Sequence, residues 1–170
     1  MRVEGASYQA SKPVMEVREA RASDREALNR IIENTENLTR EEKDCAAELL
    51  DIYLSDSRQK DYFFIVAAEA QAATGYVCYG RTPLTDAVYD LYWILVAGEF
   101  RSRGIGRLLL ERTEDLIKKQ GARMLVAETS GLPAYESAHA FYKKTGFKEE
   151  ARIKEFYKPG DDLITFVKRF

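Results

Sequence analysis

The chain has 170 residues, of which 45% are hydrophobic and 32% are charged, and its formal net charge is −2. These values fit one globular domain with a buried core, and they exclude a general nucleic-acid-binding protein, which needs a basic surface. Because no secretory apolar region and no long apolar run occurs, we expect a cytoplasmic protein with no membrane partner. Cys45 and Cys78 stand alone in the sequence, and we expect both in the core, in a reducing compartment.

Hydrophobic periodicity divides the chain into a flexible N-terminal arm over residues 1–13 and a single domain over residues 14–170. The predicted elements of the first half are a strand at Met15–Ala20, a helix from Ser23 or Asp24 to about Thr35, a helix from Thr39 to about Ser55, and strands at Tyr62–Glu69, Gly75–Thr82 and Tyr89–Val96. The predicted elements of the second half are a helix over Arg107–Lys119 that closes at Gly121, a strand at Met124–Thr129, a helix from Pro133 to Gly146, and a hairpin of Phe147–Ile153 with Leu163–Phe170. This order predicts an α/β fold, in which a mixed, twisted sheet carries helices on both faces.

The segment Arg101–Gly106, with the sequence Arg-Ser-Arg-Gly-Ile-Gly, is the most informative part of the chain. It connects the apolar strand that ends at Val96 to the helix that begins near Arg107. Glycines let a ligand approach the backbone closely, and the free amides and dipole of a helix N-terminus favour negative charge. The segment therefore predicts a site for a phosphate or pyrophosphate. Neither the dinucleotide fingerprint nor the Gly-Lys-Ser/Thr ending of a nucleoside-triphosphate loop is present.

A second motif occurs later in the chain, where residues 138–147 read Ala-His-Ala-Phe-Tyr-Lys-Lys-Thr-Gly-Phe. With this motif and the glycine segment in this order, the region from Asp90 to Phe147 resembles the GNAT superfamily of acyl-CoA-dependent N-acetyltransferases. The resemblance implies a GNAT-like fold, an N-acetyltransferase activity and acetyl-CoA (coenzyme A) as co-substrate. One position departs from it: many members have an asparagine three residues before the alanine that matches Ala138, and this chain has Tyr135 there.

The resemblance also implies how coenzyme A binds. Its pyrophosphate is held by the glycine segment, and the implied cofactor-binding residues are Leu95, Val96, Arg101, Ser102, Arg103, Gly104, Ile105, Gly106 and Arg107. In the superfamily, the strand before this segment diverges from its neighbour, and the pantetheine arm pairs with it in the resulting gap. A backbone amide near Val96 is then expected to face the thioester oxygen as an oxyanion donor. With a single histidine in the chain, no metal site is expected.

Three side chains are candidates for catalysis. By resemblance, Tyr142 matches the superfamily tyrosine near the cofactor sulfur, where its hydroxyl can protonate the departing thiolate; alternatively, Tyr142 only packs at the helix end. Asp90 and Glu128 lie on strands that lead to the cleft, where a carboxylate can accept a proton through water or attract the substrate ammonium. The alternative for each carboxylate is a solvated charge at a strand end. His139 is expected to be a surface or packing residue.

The acceptor is a primary amine in the predicted reaction, which proceeds by direct attack in a ternary complex. A small-molecule amine is the first expectation, and a protein N-terminus or lysine is the second. A non-catalytic acyl-CoA-binding module is the rival class. Residues near the predicted C-terminal hairpin, Phe156, Tyr157, Asp161 and Asp162, either frame a cationic amine or form a solvated turn. Homodimer formation stays open.

Overall fold

The computed structural model describes residues 14–170, and the predicted N-terminal arm over residues 1–13 lies outside them. The strands of the described residues are β1 (Met15–Glu19), β2 (Phe63–Glu69), β3 (Ala72–Arg81), β4 (Val88–Val96), β5 (Met124–Ser130), β6 (Lys148–Lys158) and β7 (Asp161–Arg169). The α-helices are α1 (Arg25–Glu33), α2 (Arg40–Ser55), α3 (Ile105–Lys119) and α4 (Glu136–Lys144). None of these helices is long and apolar enough to cross a membrane.

The seven strands form one sheet in the order β1-β2-β3-β4-β5-β7-β6. Every neighbouring pair is antiparallel except β4 and β5, which run parallel. Because β4 and β5 are parallel, the chain needs a crossover between them, and α3 supplies it. The predicted α/β fold with a mixed sheet is therefore confirmed.

Helices cover both faces of the sheet and divide the core into two clusters. On one face, α3 and α4 bury residues such as Leu109, Ile117 and Tyr142 against the sheet. On the other face, α1 and α2 bury residues such as Leu28 and Leu50. We call these the α3 face and the α1–α2 face.

The N-terminus of α2 was located correctly from the sequence, because its cap is a local interaction. Thr39 is the N-cap, and its hydroxyl accepts the amide hydrogen of Glu42. The Glu42 carboxylate in turn accepts the amide hydrogen of Thr39, which completes a capping box. The prediction for Cys45 was wrong, since its side chain is exposed on α2 while Cys78 is buried in β3.

The C-terminal hairpin extends further than its sequence predicted. Strand β6 ends at Lys158 and strand β7 begins at Asp161, so only Pro159 and Gly160 lie between them. The charged segment after Ile153 shows no strand-like alternation, and Glu155 has a positive φ of 52° that interrupts the register with β7. The last helix was predicted to begin at Pro133, but Pro133–Tyr135 forms a 3₁₀ turn and α4 begins after it.

The pairing of β4 with β5 is short, and the two strands then diverge. Only Val88–Asp90 pairs with Met124–Val126, although β4 stays paired to β3 up to Val96. A β-bulge bends β4 just after this point, because Leu91 and Trp93 oppose consecutive residues of β3. The divergence leaves a gap in the middle of the sheet that opens toward the C-terminal ends of both strands.

Buried tyrosines make the fold sensitive to alkaline pH. Burial raises the pKa values of Tyr79, Tyr92 and Tyr142 to about 12. A tyrosine in the unfolded chain has a pKa of about 10. Groups whose pKa is higher in the folded state stabilise it fully below pH 10, and this stability is lost as the pH rises from about 10 to 12. We expect the urea midpoint, followed by circular dichroism, to fall in that range. Tyr79→Phe should reduce the fall more than substitution of the half-exposed Tyr157 by Phe.

Candidate active site

The glycine segment forms a tight loop that leads directly into α3. Ser102 and Gly104 both have left-handed backbones, with φ values of 62° and 80°. The amides of residues 102–107 donate to no other group within residues 14–170, as expected for the first turn of a helix. A run of free amides at a helix N-terminus is the geometry that binds phosphate groups.

Three arginines surround this loop, and none pairs with a carboxylate of the described residues. Arg101 Nε lies 3.5 Å from the Val96 carbonyl oxygen, and Arg107 Nη2 lies 3.5 Å from that of Lys144. The Arg103 guanidinium stacks over the Phe100 ring, at 4.9 Å from its centroid. The positive charge of all three side chains is therefore available to an anion.

The first turn of α3 packs against the open end of the β4–β5 gap. A Cβ atom on Gly106 would lie 3.3 Å from the Phe141 ring of α4 and 3.9 Å from the Val96 side chain. A Cβ atom on Gly75 would lie 2.9 Å from the Leu95 carbonyl oxygen and 3.3 Å from Ile105. The absence of side chains at these two glycines thus brings the free amides of the loop next to the end of β4.

The backbone of Val96 points into the gap. Ala97 donates its amide hydrogen to the Thr74 carbonyl oxygen, on the β3 side of the strand. Amide directions alternate along a strand, so the Val96 amide faces away from β3, toward β5. Because β5 has diverged at this level, this amide is free to donate to a ligand in the gap.

Tyr142 lies on the α3 face beside β5 and β7. Its ring packs against Phe141, Phe147 and Phe166, with centroid distances of 5.3 to 5.7 Å. The residue is 7% exposed, and its hydroxyl bonds to no group of residues 14–170. The hydroxyl oxygen is nevertheless not fully enclosed by the protein, so solvent or a ligand can reach it. Burial raises its pKa to about 12, which keeps it protonated at neutral pH.

The two candidate carboxylates lie on the opposite, α1–α2 face. Asp90 belongs to the last paired position of β4, at the closed end of the gap, and accepts a hydrogen bond of 2.7 Å from the Thr82 hydroxyl. Glu128 lies two positions after Val126, the last residue of β5 that pairs with β4. Its side chain is exposed and has no hydrogen-bond or ion-pair partner within the described range. Leu125 and Ala127 belong to the α3-face core, so the Glu128 side chain points the other way.

The structure does not bring all predicted site residues to one point. The loop residues, Leu95 and Val96 meet at the open end of the gap, whereas Asp90 is six residues back along β4, or about 20 Å at the rise of a strand. Glu128 is nearer to the open end, on the neighbouring strand.

Polar residues around the end of β5 make contacts that the sequence did not predict. The Ser130 hydroxyl donates to the Asp161 carboxylate, and His139 Nε2 donates to the Ser130 carbonyl oxygen at 2.9 Å. Tyr135 donates its hydroxyl to the Glu42 carboxylate, 93 residues away in the chain. Contacts of this kind depend on how distant elements meet, so no local sequence pattern indicates them.

The α/β fold, with a loop of free amides beside a split in its sheet, is the geometry that the motifs of the sequence led us to expect of an acetyltransferase, and comparison with known proteins identifies the class. Residues 60–149 match the family described as Acetyltransferase (GNAT) domain. Since this match covers more than half of the chain, the chain belongs to the GNAT acetyltransferase family, which confirms the resemblance seen in its motifs.

Individual relatives agree with this assignment. A crystal structure of a GNAT-family protein from Desulfovibrio desulfuricans is 39% identical, with a TM-score of 0.88 over 92% of this chain and 99% of that one. N-alpha-acetyltransferase 30 of Schizosaccharomyces pombe is 30% identical over 74 residues, which are 44% of this chain and 48% of the relative. The chain thus matches about half the length of that curated relative. The ribosomal-protein-S18-alanine N-acetyltransferase of Escherichia coli shares the fold, with a TM-score of 0.72 and 18% identity over 92% of this chain and 94% of that one.

The loop can be tested with two glycines that share one backbone geometry. Gly104 and Gly121 flank α3, both have a φ of 80°, and a Cβ atom would meet nothing within 4 Å at either. Valine at either position costs about 1–2 kcal/mol of backbone strain. We expect acetyl-CoA at a hundredfold excess over its Kd to stabilise the wild type and Gly121→Val by about 2.7 kcal/mol, measured as a rise in Tm. In Gly104→Val the rise should disappear. An equal rise in both variants would refute the loop as the phosphate site.

Proposed function

We propose that residues 14–170 act as one acetyltransferase domain that moves an acetyl group from acetyl-CoA to the primary amine of a small molecule, by direct attack in a ternary complex. Membership of the GNAT family makes the chain an acetyltransferase with acetyl-CoA as co-substrate. The observation that carries the proposal is the β4–β5 gap, which opens between the free amides of the glycine loop and the carboxylates of the α1–α2 face.

Acetyl-CoA supplies an activated acyl group and a thiolate that can leave. The loop amides from Ser102 to Arg107 would hold its pyrophosphate, and the three arginines would add charge–charge attraction. The backbone of Val96, on the exposed edge of β4, would pair with the pantetheine arm in place of the missing neighbour strand, whereas the backbone of Leu95 faces β3. These residues fit the ligand because the loop and the strand edge lie next to each other, at the contact of Gly106 with Val96.

Two groups are placed to stabilise charge that develops in the reaction. The Val96 amide would donate a hydrogen bond to the thioester oxygen, as a fixed dipole does in an oxyanion hole. The Tyr142 hydroxyl would give its proton to the leaving thiolate. With a pKa of about 12 against about 8.5 for a free thiol, this donation is uphill in equilibrium terms. It depends on the hydroxyl being held beside the sulfur, which the aromatic packing of Tyr142 supports.

Glu128 is the better candidate for the proton acceptor on the amine side. Asp90 is at the closed end of the gap, and the Thr82 hydroxyl already donates to it. The Glu128 carboxylate is exposed and has no partner among the described residues, so it is free to attract an ammonium group and to receive its proton through water.

A protein N-terminus is the second candidate acceptor, and one specific observation favours it. The curated relative from Schizosaccharomyces pombe is an N-alpha-acetyltransferase, although only about half of its length is matched. The small-molecule amine is preferred because Tyr135 and Glu42 are hydrogen-bonded across the α1–α2 face, on the side from which the acceptor would enter.

The decisive experiment measures coenzyme A release with a panel of acceptors. Monoamines, polyamines, amino acids and short peptides with free N-termini should be compared at saturating acetyl-CoA, and each product should be verified by mass. We expect turnover with at least one small amine. Turnover with peptides alone would establish the second candidate, and acetyl-CoA binding without any turnover would establish the non-catalytic module.

Tyr142→Phe removes only the hydroxyl and keeps the ring that packs against Phe147 and Phe166. If the hydroxyl protonates the thiolate, kcat should fall by about 10²–10⁴-fold, while Tm and acetyl-CoA affinity hardly change. Phe147→Leu, which disturbs the same packing without touching the hydroxyl, should lower Tm more than kcat. Wild-type turnover in Tyr142→Phe would remove Tyr142 from the mechanism.

The variants Glu128→Gln and Asp90→Asn test which of the two carboxylates accepts the proton. If Glu128 accepts the proton, Glu128→Gln should lower kcat/KM for the amine by about 10²-fold, with unchanged acetyl-CoA affinity. Its pH profile should also lose the decline toward low pH that protonation of the base causes. Asp90→Asn keeps a bond from Thr82 and should have the smaller effect. The opposite order of effects would assign the role to Asp90, and wild-type rates in the double variant would exclude both.

A further inference from the structure

The hydrogen bond between Glu42 and Tyr135 joins two residues that are 93 positions apart in the chain. The Tyr135 hydroxyl lies 2.8 Å from Oε1 and 2.7 Å from Oε2 of Glu42. Tyr135 is 9% exposed. Burial first, and then the hydrogen bond to Glu42, raise the pKa of the Tyr135 hydroxyl. The hydroxyl therefore keeps its proton at neutral pH, and a neutral donor facing a carboxylate makes a strong hydrogen bond.

The two partners of this bond lie on opposite sides of the β4–β5 gap. Glu42 belongs to the first turn of α2, which packs against β2 in one half of the sheet. Tyr135 follows β5 in the other half, just beyond the open end of the gap. Within residues 14–170, no other side-chain hydrogen bond joins α1 or α2 to the chain after β4. The bond thus spans the two halves of the sheet where their strands have separated.

Glu42 is held in place from its own side as well. Its Oε2 atom accepts the Thr39 amide hydrogen at 2.7 Å, as part of the capping box of α2. Movement of Glu42 toward solvent would therefore break the cap and the contact with Tyr135 together. This arrangement ties the start of α2 to the turn that follows β5.

We propose that the Glu42–Tyr135 pair is a strap across the acceptor entrance, and that it selects small amines by restricting access of polypeptide chains. The inference rests on the proposed function, in which the acceptor approaches Glu128 from the α1–α2 face. In this proposal, a compact amine would reach the gap beneath the strap. A peptide N-terminus brings a continuing chain that requires the two halves to part at this point.

The test compares two acceptors, the small amine found most active in the panel and a pentapeptide, in four proteins. Tyr135→Phe removes the strap but keeps the ring. Glu42→Gln keeps an oxygen that can accept from both Tyr135 and the Thr39 amide, so it is the conservative control. Thr39→Ala removes the hydroxyl half of the capping box without touching Tyr135, and it controls for weakening of α2.

The measured quantity is the ratio of kcat/KM for the peptide to kcat/KM for the small amine. We expect this ratio to rise about tenfold in Tyr135→Phe, because a hydrogen bond to a charged group shifts an equilibrium by that order or more. Glu42→Gln keeps the acceptor oxygen but loses its charge, so it should raise the ratio less than Tyr135→Phe does, and Thr39→Ala should keep the wild-type ratio. A ratio that is unchanged in Tyr135→Phe, or that rises equally in Thr39→Ala, would overturn the strap as a specificity determinant.

Amide hydrogen exchange provides a readout that does not depend on activity. In Tyr135→Phe, exchange should accelerate both in the first turn of α2 and in the turn that follows β5, and in Thr39→Ala only in the first. Unchanged exchange in Tyr135→Phe would show that no strap exists. If the wild type acetylates neither acceptor, the proposed function fails, and the exchange result still decides whether the strap is present.

Discussion

The loss of hydrogen bonding between β4 and β5 is the constraint on which the rest of this structure depends. After Asp90 and Val126, each strand keeps its outer neighbour and loses its inner one. Backbone amides and carbonyls exposed in the middle of a sheet are costly unless water or a ligand satisfies them. The fold therefore presents a linear row of backbone donors and acceptors, which suits the extended, amide-containing arm of an acyl carrier better than a compact ligand.

The elements around the gap divide the chemical tasks between the two faces of the sheet. The α3 face holds the anion-binding loop and Tyr142, and the α1–α2 face holds Asp90 and Glu128. A donor that enters along the loop and an acceptor that enters from the opposite face would meet only within the gap. Separate entrances of this kind would suit the proposed direct transfer in a ternary complex, in which the Glu42–Tyr135 bond would act on the acceptor alone.

Local features of the site could be predicted from the sequence because their physics is local. A strand, a loop with Gly104 and a helix N-terminus place the free amides of the loop within about fifteen residues, and the capping box at Thr39 needs only four. The charged segment after Ile153 was missed as strand, since β6 is an exposed edge strand whose strand partner is β7. Cys45 was misplaced because helical spacing shows which residues share a face but not how far the neighbouring element extends over it.

The sequence by itself determined the α/β class, the order of elements and the GNAT assignment, because short motifs and periodicity carry them. Only the tertiary structure decided that Asp90 lies at the closed end of the gap and bonds to Thr82, while the Glu128 carboxylate has no partner among residues 14–170. The hydrogen bond between Glu42 and Tyr135 also depends on the tertiary structure, since the packing of α2 on the sheet brings together two residues that are 93 positions apart. The direction of a backbone amide such as that of Val96 depends on strand register, and register is settled by partners that the local sequence does not contain.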